Sequence, residues 1–318
     1  MKNVISKILS LKDNQTLNRL LYCTKDAIPT ALKTAVWFLK ITIPISLLVT
    51  LLNYFGILQI ISLYLSPIFN LIGLRGEAAL VYITSAFLNV YSAIAVITSI
   101  NFTLREMTIL AIMSLIAHNL ILETAVQKKT GSKAWHIIVL RIATSVVAAI
   151  TLNLLLPDQM GLSNISIQPL IKLSFHDMIL SWSLSALRLS IKIVVLITLL
   201  MILQKILVEF KITDLLSRIL SPLLKIMGLP KSTSLTWIVA NLLGLAYGSA
   251  VMIDEVENGR SSKQEADLLN FHIAISHSNL EDLVLFAAIG ISVGWLLFPR
   301  LIFAIVAVWG RRFTLKMI

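Results

Sequence analysis

Two short runs in this sequence place ionisable and amide side chains within long apolar segments. The first runs from His118 to Glu123 and the second from His277 to Asp282. Ionisable groups at bilayer depth cost about 2.5–3.5 kcal/mol each on insertion scales, so those present by default face the protein interior and carry function. A helix broken at such a run also exposes backbone carbonyls to a solute or cation. The predicted binding residues are His118, Asn119, Glu123, His277, Ser278, Asn279, Glu281 and Asp282.

Two apolar stretches that precede these runs, 76–100 and 232–254, are interrupted near their middle by polar or glycine residues. We expect each stretch to double back there as a re-entrant hairpin whose tip meets the following run. Gly244 and Gly248 permit a tight turn, although the same spacing also forms a GxxxG packing motif. The hairpin residues predicted to face the solute are Ser85, Asn89, Tyr91, Ser92, Asn241, Tyr247 and Ser249.

Structural roles compete with binding roles at several of these positions. Asn89 and Asn241 are equally consistent with hydrogen-bonded packing between helices. His118 and His277 either line a cavity or are satisfied by neighbouring helices. His277 and Glu281 have the i, i+4 spacing of a metal-binding pair, but the sequence offers no further close ligand set, so we predict no metal site.

The composition indicates that the helices carrying these residues lie in a lipid bilayer. Of the 318 residues, 57% are hydrophobic and 14% are charged, and the mean hydropathy is +0.88. A chain this apolar belongs in a lipid bilayer, and its long apolar runs indicate helices rather than a barrel. Cys23 is the single cysteine, which excludes an intrachain disulfide and argues against redox chemistry.

The net charge of +11 is interpreted as membrane topology, because basic residues normally mark cytoplasmic loops and lipid contacts. Nucleic acid is therefore not an expected partner. Arg188, Lys192 and Arg300 lie inside apolar helices, where snorkelling or pairing with an acid is expected in place of solute contact.

The chain contains an internal repeat. Ser66–Leu74 matches Ser221–Leu229 at an offset of 155 residues. A second match, at an offset of 159, places Glu106, His118 and Glu123 opposite Glu265, His277 and Asp282. Because two matches occur in the same order, we predict a duplication whose break lies between Pro157 and His176.

The predicted fold is an all-α polytopic membrane protein with two inverted repeats. Each repeat has three spanning helices, an interfacial helix and a re-entrant hairpin. With hairpins that turn back, the loop lysines and arginines divide into 19 on the N-terminal side and 3 on the other, against 13 and 9 if the hairpins cross. The positive-inside rule therefore favours hairpins and cytoplasmic termini. The predicted spans are 33–55, 105–127, 135–157, 178–209, 264–286 and 289–310.

The predicted organisation has five parts. They are an amphipathic interfacial segment at 1–32, a first repeat at 33–157, a linker at 158–177, a second repeat at 178–310 and a basic tail at 311–318. We expect the protein in the bacterial cytoplasmic (inner) membrane.

The stretches Gly73–Leu80 and Gly228–Leu235, within this order of helices, resemble the nucleoside-recognition or Gate domain. The arrangement also looks like the core of the concentrative nucleoside transporters, and the domain is found in spore maturation proteins and in the ferrous-iron transporter. The iron-transporter version carries a cysteine in its gate, whereas no cysteine follows Cys23 here. This departure argues against soft-ligand metal transport.

The sequence predicts a secondary transporter of a small polar solute, with a nucleoside-like compound as one candidate solute and H⁺ and Na⁺ as the candidate coupling ions. A non-transporting membrane scaffold or assembly factor, as the resemblance to spore maturation proteins implies, is the alternative. A divalent metal transporter is the second alternative. An enzyme is not predicted, because HExxH, GxSxG and P-loop motifs are absent from the sequence. No cofactor is expected. Membrane lipids are expected partners, and a homo-oligomer is left open.

Overall fold

The computed structural model describes residues 2–158, 160 and 174–315, so most of the predicted linker 158–177 lies outside the described residues. Within those residues the secondary structure is helical. One 3₁₀ turn spans Lys231–Thr233. The α-helices are α1 (Lys2–Tyr54), α2 (Ile57–Asn70), α3 (Ala78–Phe87), α4 (Val90–Ser99), α5 (Leu104–Ala117), α6 (Leu120–Lys129), α7 (Ala134–Leu155), α8 (Phe175–Glu209), α9 (Ile212–Ile226), α10 (Ser234–Leu242), α11 (Leu245–Glu257), α12 (Lys263–Ile273), α13 (Asn279–Ala287) and α14 (Val293–Thr314).

Four helical segments of the described chain are long and apolar enough to cross a membrane: Leu104–Lys129, Ala134–Leu155, Phe175–Glu209 and Val293–Thr314. They correspond to four of the six predicted spans. The predicted span 264–286 is divided between α12 and α13, each shorter than the 20 or so residues that a bilayer requires. The predicted span 33–55 lies within α1, where the apolar stretch is Ile43–Leu52.

Helix α1 passes without interruption through residue 32, the predicted boundary between the interfacial segment and the first repeat. Buried small residues at a spacing of four explain the continuity: Cys23, Ala27, Ala31 and Ala35 are at most 2% exposed. Residues four apart share one helix face, and α1 packs closely against α8. An ion pair of 2.8 Å between Arg19 Nε and Glu209 Oε1 joins α1 to the C-terminal end of α8.

Matched caps set where the central helices begin. Thr103 starts α5 with a capping box closed by Glu106, and Ser262 starts α12 with the same box closed by Glu265. Each box satisfies two backbone donors that a helix end otherwise leaves unpaired. The two boxes are 159 residues apart, which is the offset of the predicted repeat.

Glycine turns end the helices α2 and α9. Gly73 and Gly228 have φ angles of 73° and 76°, and the next residues, Leu74 and Leu229, donate from their backbone N–H to carbonyls five residues back. This left-handed ending is a common helix C-cap and suits glycine. These turns recur at the offset of 155 residues seen in the sequence.

Helix α5 lies at the centre of the structure. Every residue from Glu106 to Ala117 is buried, and α5 contacts α3, α4, α7 and α14. By contrast, only 17% of the apolar part of α8 is buried, as expected for a helix that faces lipid. Helix α5 is therefore a central, buried helix of the described structure, and the first polar run follows its last residue.

Candidate functional site

Both polar runs interrupt a helix. Between α5 and α6, His118 is extended and Asn119 has a φ of 48°. Between α12 and α13, residues 274–278 form the break, and Ser278 has a φ of 49°. A positive φ is uncommon outside glycine, with asparagine among the more tolerant residues. The two non-glycine residues at these breaks are 159 positions apart.

A buried arginine stabilises each break. Arg141 donates from Nε to the Ile116 carbonyl and from Nη2 to the His118 carbonyl, both at 2.7 Å. Arg300 donates in the same way to the carbonyls of Ile275 and His277, at 3.0 and 2.8 Å. Both arginines are fully buried. The planar guanidinium suits such paired acceptors and satisfies carbonyls that the broken helix leaves free.

The ends of α3 and α10 meet the two breaks. The Asn119 N–H donates to the Ser85 carbonyl at 3.0 Å, and the Ser278 N–H donates to the Ala240 carbonyl at 3.0 Å. Ser85 lies near the end of α3 and Ala240 near the end of α10. Each helix pair, α3–α4 and α10–α11, therefore contacts the break that follows it in sequence.

Glu123 is the centre of a buried charged cluster. Its Oε1 atom lies 3.0 Å from His118 Nε2 and 3.3 Å from His277 Nε2, and its Oε2 atom lies 2.8 Å from Arg141 Nη1. The two imidazole rings are 5.1 Å apart between centroids. Because His118 and Glu123 come from the first half of the chain and His277 from the second, the cluster joins the halves.

Asp282 occupies the position of Glu123 in the second half but makes different contacts. Its side chain is 6% exposed, and its Oδ2 atom has no hydrogen-bond partner among the described residues. Arg141 and Glu123 form an ion pair of 2.8 Å, whereas Arg300 and Asp282 form none among the described residues, and Arg300 Nη1 has no hydrogen bond. The aspartate is one methylene shorter than Glu123, which accounts for the missing contact with the arginine.

Further hydrogen bonds connect the hairpin residues to the second break. Tyr91 Oη donates to Glu281 Oε1 at 2.8 Å, and Asn279 Nδ2 donates to Asn241 Oδ1 at 2.6 Å. Asn279 Nδ2 also lies 3.1 Å from Ser276 Oγ. These bonds bring four of the predicted site residues into two pairs.

The remaining predicted residues are placed as follows. The Ser85 hydroxyl is buried without a hydrogen-bond partner in the described residues. Asn89 caps α4, where its Oδ1 accepts from the backbone N–H and the hydroxyl of Ser92. These two side chains are therefore hydrogen-bonded to each other. The side chains of Tyr247 and Ser249 lie outside the part of the chain that the structure describes.

The two glycines of the second hairpin have separate roles. Gly244 has a φ of 92° at the turn, and a Cβ there would lie 3.2 Å from Ser278 Oγ. A Cβ on Gly248 would lie 2.5 Å from the Ala240 Cβ. Gly244 therefore permits the turn and the close approach to the break, whereas Gly248 permits the close packing of α10 on α11.

Sequence reasoning missed the role of Arg141 and Arg300. Arg300 was expected to snorkel or to pair with an acid, and its fully buried guanidinium instead donates to backbone carbonyls. Arg141, which was assigned no role, donates to two carbonyls and also pairs with Glu123. Their separation of 159 residues equals the offset of the histidines, and this signal could have identified them.

Comparisons with known proteins agree with this architecture. Residues 35–133 match the family described as Gate, nucleoside recognition, a region that contains α3 to α6 and the first break. The membrane protein YvoD of Bacillus subtilis (strain 168) is 31% identical over 280 residues, which cover 87% of this chain and 90% of YvoD. No solved structure matches the chain significantly. The chain belongs to the family of membrane proteins built on the Gate, or nucleoside-recognition, domain.

Proposed function

We propose that this protein is a secondary transporter that moves a small polar solute through a site at the middle of the bilayer. The observation that carries the proposal is the cluster of buried ionisable residues where two broken helices meet. Such groups are costly within a membrane and normally mark a solute or ion pathway. Broken helices around a central site are a recurrent feature of secondary transporters.

The proposal includes re-entrant hairpins. Helices α3 and α4 have ten residues each, which corresponds to about 15 Å of helix at 1.5 Å per residue. The hydrocarbon core is about 30 Å thick, so each helix reaches half-way. Helix α10 is similarly short, with nine residues. Pairs of half-length helices that pack on each other are suited to entering and leaving by the same face.

Contacts at the helix ends support the inversion of the two halves. The beginning of α5 lies near the end of α7, where Arg105 Nη2 donates to the Asn153 carbonyl at 2.5 Å. The beginning of α12 lies near the end of α6, because a Cβ on Gly131 would lie 3.2 Å from the Lys263 carbonyl oxygen. Corresponding helices therefore begin at opposite ends of α5–α6. The loop charges favour cytoplasmic termini in a bacterial inner membrane.

Transport in this proposal proceeds by movement of one hairpin-bearing half against the other. The bonds from Tyr91 to Glu281 and from Glu123 to His277 cross between the halves, so they would break and re-form as the site opens. The amide, phenol and carboxylate groups suit a polar ring such as a nucleoside, in keeping with the family description. The histidines and carboxylates offer titratable groups for H⁺ coupling, and the exposed carbonyls offer ligands for Na⁺.

Uptake by proteoliposomes tests this function. A panel of radiolabelled nucleosides and bases would be offered under imposed H⁺ or Na⁺ gradients. We expect accumulation of at least one compound, reduced about tenfold or more by Asp282→Asn and by Glu123→Gln because each removes a buried charge. Glu257→Gln changes an exposed acid and should transport normally. Full uptake by both central variants would remove these acids from the mechanism.

A non-transporting scaffold is the second candidate, and one observation favours it. Glu123, His118, His277 and Arg141 contact one another, as expected if the polar groups only hold helices together. Thermal unfolding in the presence of nucleosides, bases and ions separates the candidates. A scaffold should show no shift of the unfolding midpoint, whereas a transporter should be stabilised by its solute.

A further inference from the structure

The two histidines at the helix breaks present the same nitrogen to the centre. His118 Nδ1 lies 3.1 Å from the Ser114 carbonyl oxygen, and His277 Nδ1 lies 2.6 Å from the Ile273 carbonyl oxygen. A carbonyl oxygen can only accept a hydrogen bond, so Nδ1 carries the proton in both rings. In the neutral imidazoles Nε2 then has a free lone pair, and this is the arrangement in which histidine ligates metals.

When both imidazoles are neutral, three electron-pair donors therefore converge without a donor hydrogen between them. Both Nε2 atoms face Glu123 Oε1, at 3.0 and 3.3 Å. Asp282 adds a further carboxylate: one ligand atom each from His118, His277 and Asp282 lie within 4.8 Å of one another. Neutral imidazoles and carboxylates placed in this way repel one another unless a proton or a metal cation lies between them.

We propose that His118, His277, Asp282 and Glu123 form a binding site for one divalent transition-metal cation, with Zn²⁺ as the representative ion. This inference goes beyond the proposed transport and does not depend on it. The metal joins the two broken helices, because two ligands come from each half of the chain.

The distances fit such an ion. In a tetrahedral site with metal–ligand bonds of about 2.0–2.1 Å, neighbouring ligand atoms are separated by about 3.3 Å, close to the two contacts of Glu123 Oε1. Two imidazoles with two carboxylates suit zinc and its first-row neighbours, whereas Mg²⁺ and Ca²⁺ prefer oxygen ligands. The site also satisfies Asp282 Oδ2 and His277 Nε2, which have no hydrogen bond among the described residues.

The charges around the site favour a cation. Glu123, Glu281 and Asp282 place three carboxyl groups in the cluster, against the two guanidinium groups of Arg141 and Arg300. A single proton could bridge only one of the two imidazole–carboxylate contacts. Protonation of both rings would place two imidazolium ions 5.1 Å apart between centroids beside two guanidiniums, at a high electrostatic cost in a buried site.

The same geometry explains why sequence spacing identified a different pair. His277 and Glu281 have the i, i+4 spacing of a metal-binding pair, but the Glu281 carboxylate accepts the hydrogen bond of Tyr91. The partners of His277 come instead from the first half of the chain. The ligands come from two distant parts of the sequence, 118–123 and 277–282, so no short sequence motif identifies them as one set.

Metal binding can be tested on the full-length protein in detergent. The protein would be purified without a histidine tag, treated with a chelator and titrated with Co²⁺, whose visible absorption bands report tetrahedral nitrogen and oxygen ligands. We expect one Co²⁺ per chain, displaced by Zn²⁺ and not by Mg²⁺. His118→Gln and Asp282→Asn should weaken binding about tenfold or more. His176→Gln, which changes an exposed histidine, should bind Co²⁺ as the unmodified protein does.

Two results would overturn the metal site. One is a chain that binds no Co²⁺ or Zn²⁺ with such bands; the other is binding that survives both central substitutions or depends on His176. X-ray absorption of the Zn²⁺-loaded, unmodified protein covers the case in which a variant fails to fold. It should record two imidazoles and oxygen ligands, and any other histidine count contradicts the assignment. The metal titration uses neither a gradient nor a solute. A chain that binds no metal would therefore leave the transport proposal to the uptake experiment, and a chain that transports nothing would leave the metal site to this titration.

Discussion

Glu123 reaches the guanidinium of Arg141, with Oε2 2.8 Å from Nη1. In the second half Asp282 and Arg300 occupy the corresponding positions, and no ion pair joins them among the described residues. The two halves therefore use the same pair of charges differently. The first acid and arginine lie at ion-pair distance beside their helix break, whereas the second acid and arginine form no ion pair and leave Asp282 Oδ2 and Arg300 Nη1 without hydrogen bonds.

Lengthening the acid should close the second pair. In Asp282→Glu the added methylene lets the carboxylate reach Arg300 Nη1, and satisfying two buried polar atoms should stabilise the protein by about 1–3 kcal/mol. The thermal unfolding midpoint in detergent measures this gain. Glu123→Asp is the matched control and should lower the midpoint, because it withdraws the carboxylate from Arg141. A lower unfolding midpoint in both variants would contradict the conclusion that Asp282 and Arg300 are left unpaired because the aspartate is too short.

The buried arginines should not tolerate lysine. A lysine offers a single charged nitrogen in place of the planar fork that bonds two carbonyls. Arg141→Lys also loses the geometry of the Glu123 pair, so it should cost about 3–5 kcal/mol. Arg300→Lys has no such pair to lose and should cost less. Chemical unfolding of the two variants under identical conditions gives the comparison, and the prediction is wrong if Arg300→Lys is the more damaging change.

The sequence predicted the type of fold but not the length of its first helix. Hydropathy and the Gly-Leu stretches correctly indicated an all-helical membrane protein with a Gate domain. They did not indicate that α1 continues from Lys2 to Tyr54. Its N-terminal part is amphipathic by composition and is predicted to lie at the interface. The structure adds that Cys23, Ala27 and Ala31 are buried and that α1 contacts α8, a tertiary contact that no local pattern records.

The candidate site shows the same division. The repeat offset paired His118 with His277 and Glu123 with Asp282, and the structure brings both histidines to Glu123. The offset could not show that the shorter acid would miss its arginine, because this depends on a difference of one methylene in three dimensions. Nor could it show that Glu281 faces Tyr91, since the sequence does not specify how α13 is rotated relative to α4.

Alanine substitutions should separate the two glycines of the second hairpin from an unconstrained glycine. Gly244→Ala places a side chain at a φ of 92° and near Ser278, a strain of about 1–3 kcal/mol. Gly248→Ala forces α10 away from α11, at a cost of about 1–3 kcal/mol.

Gly310→Ala is the matched control for these substitutions. A Cβ at Gly310 in α14 meets no atom within 4 Å, so the change should leave stability unaltered or raise it by up to about 1 kcal/mol. Thermal unfolding of the three variants supplies the test. If Gly248→Ala behaves like Gly310→Ala, the close packing of the second hairpin is incorrect.

Cysteine labelling should place equivalent positions of the two halves on opposite faces of the membrane. Asn101 and Arg260 are exposed and 159 residues apart, and Cys23 is the single native cysteine. In a Cys23→Ser background, Asn101→Cys should react with an impermeant maleimide added to intact cells. Arg260→Cys should react only after permeabilisation, because three spans in each half make the second copy point the other way.

Lys129→Cys should behave like Arg260→Cys, since the end of α6 adjoins the beginning of α12. Labelling of Asn101→Cys and Arg260→Cys from the same face would refute the inversion and, with it, the alternating movement proposed for transport.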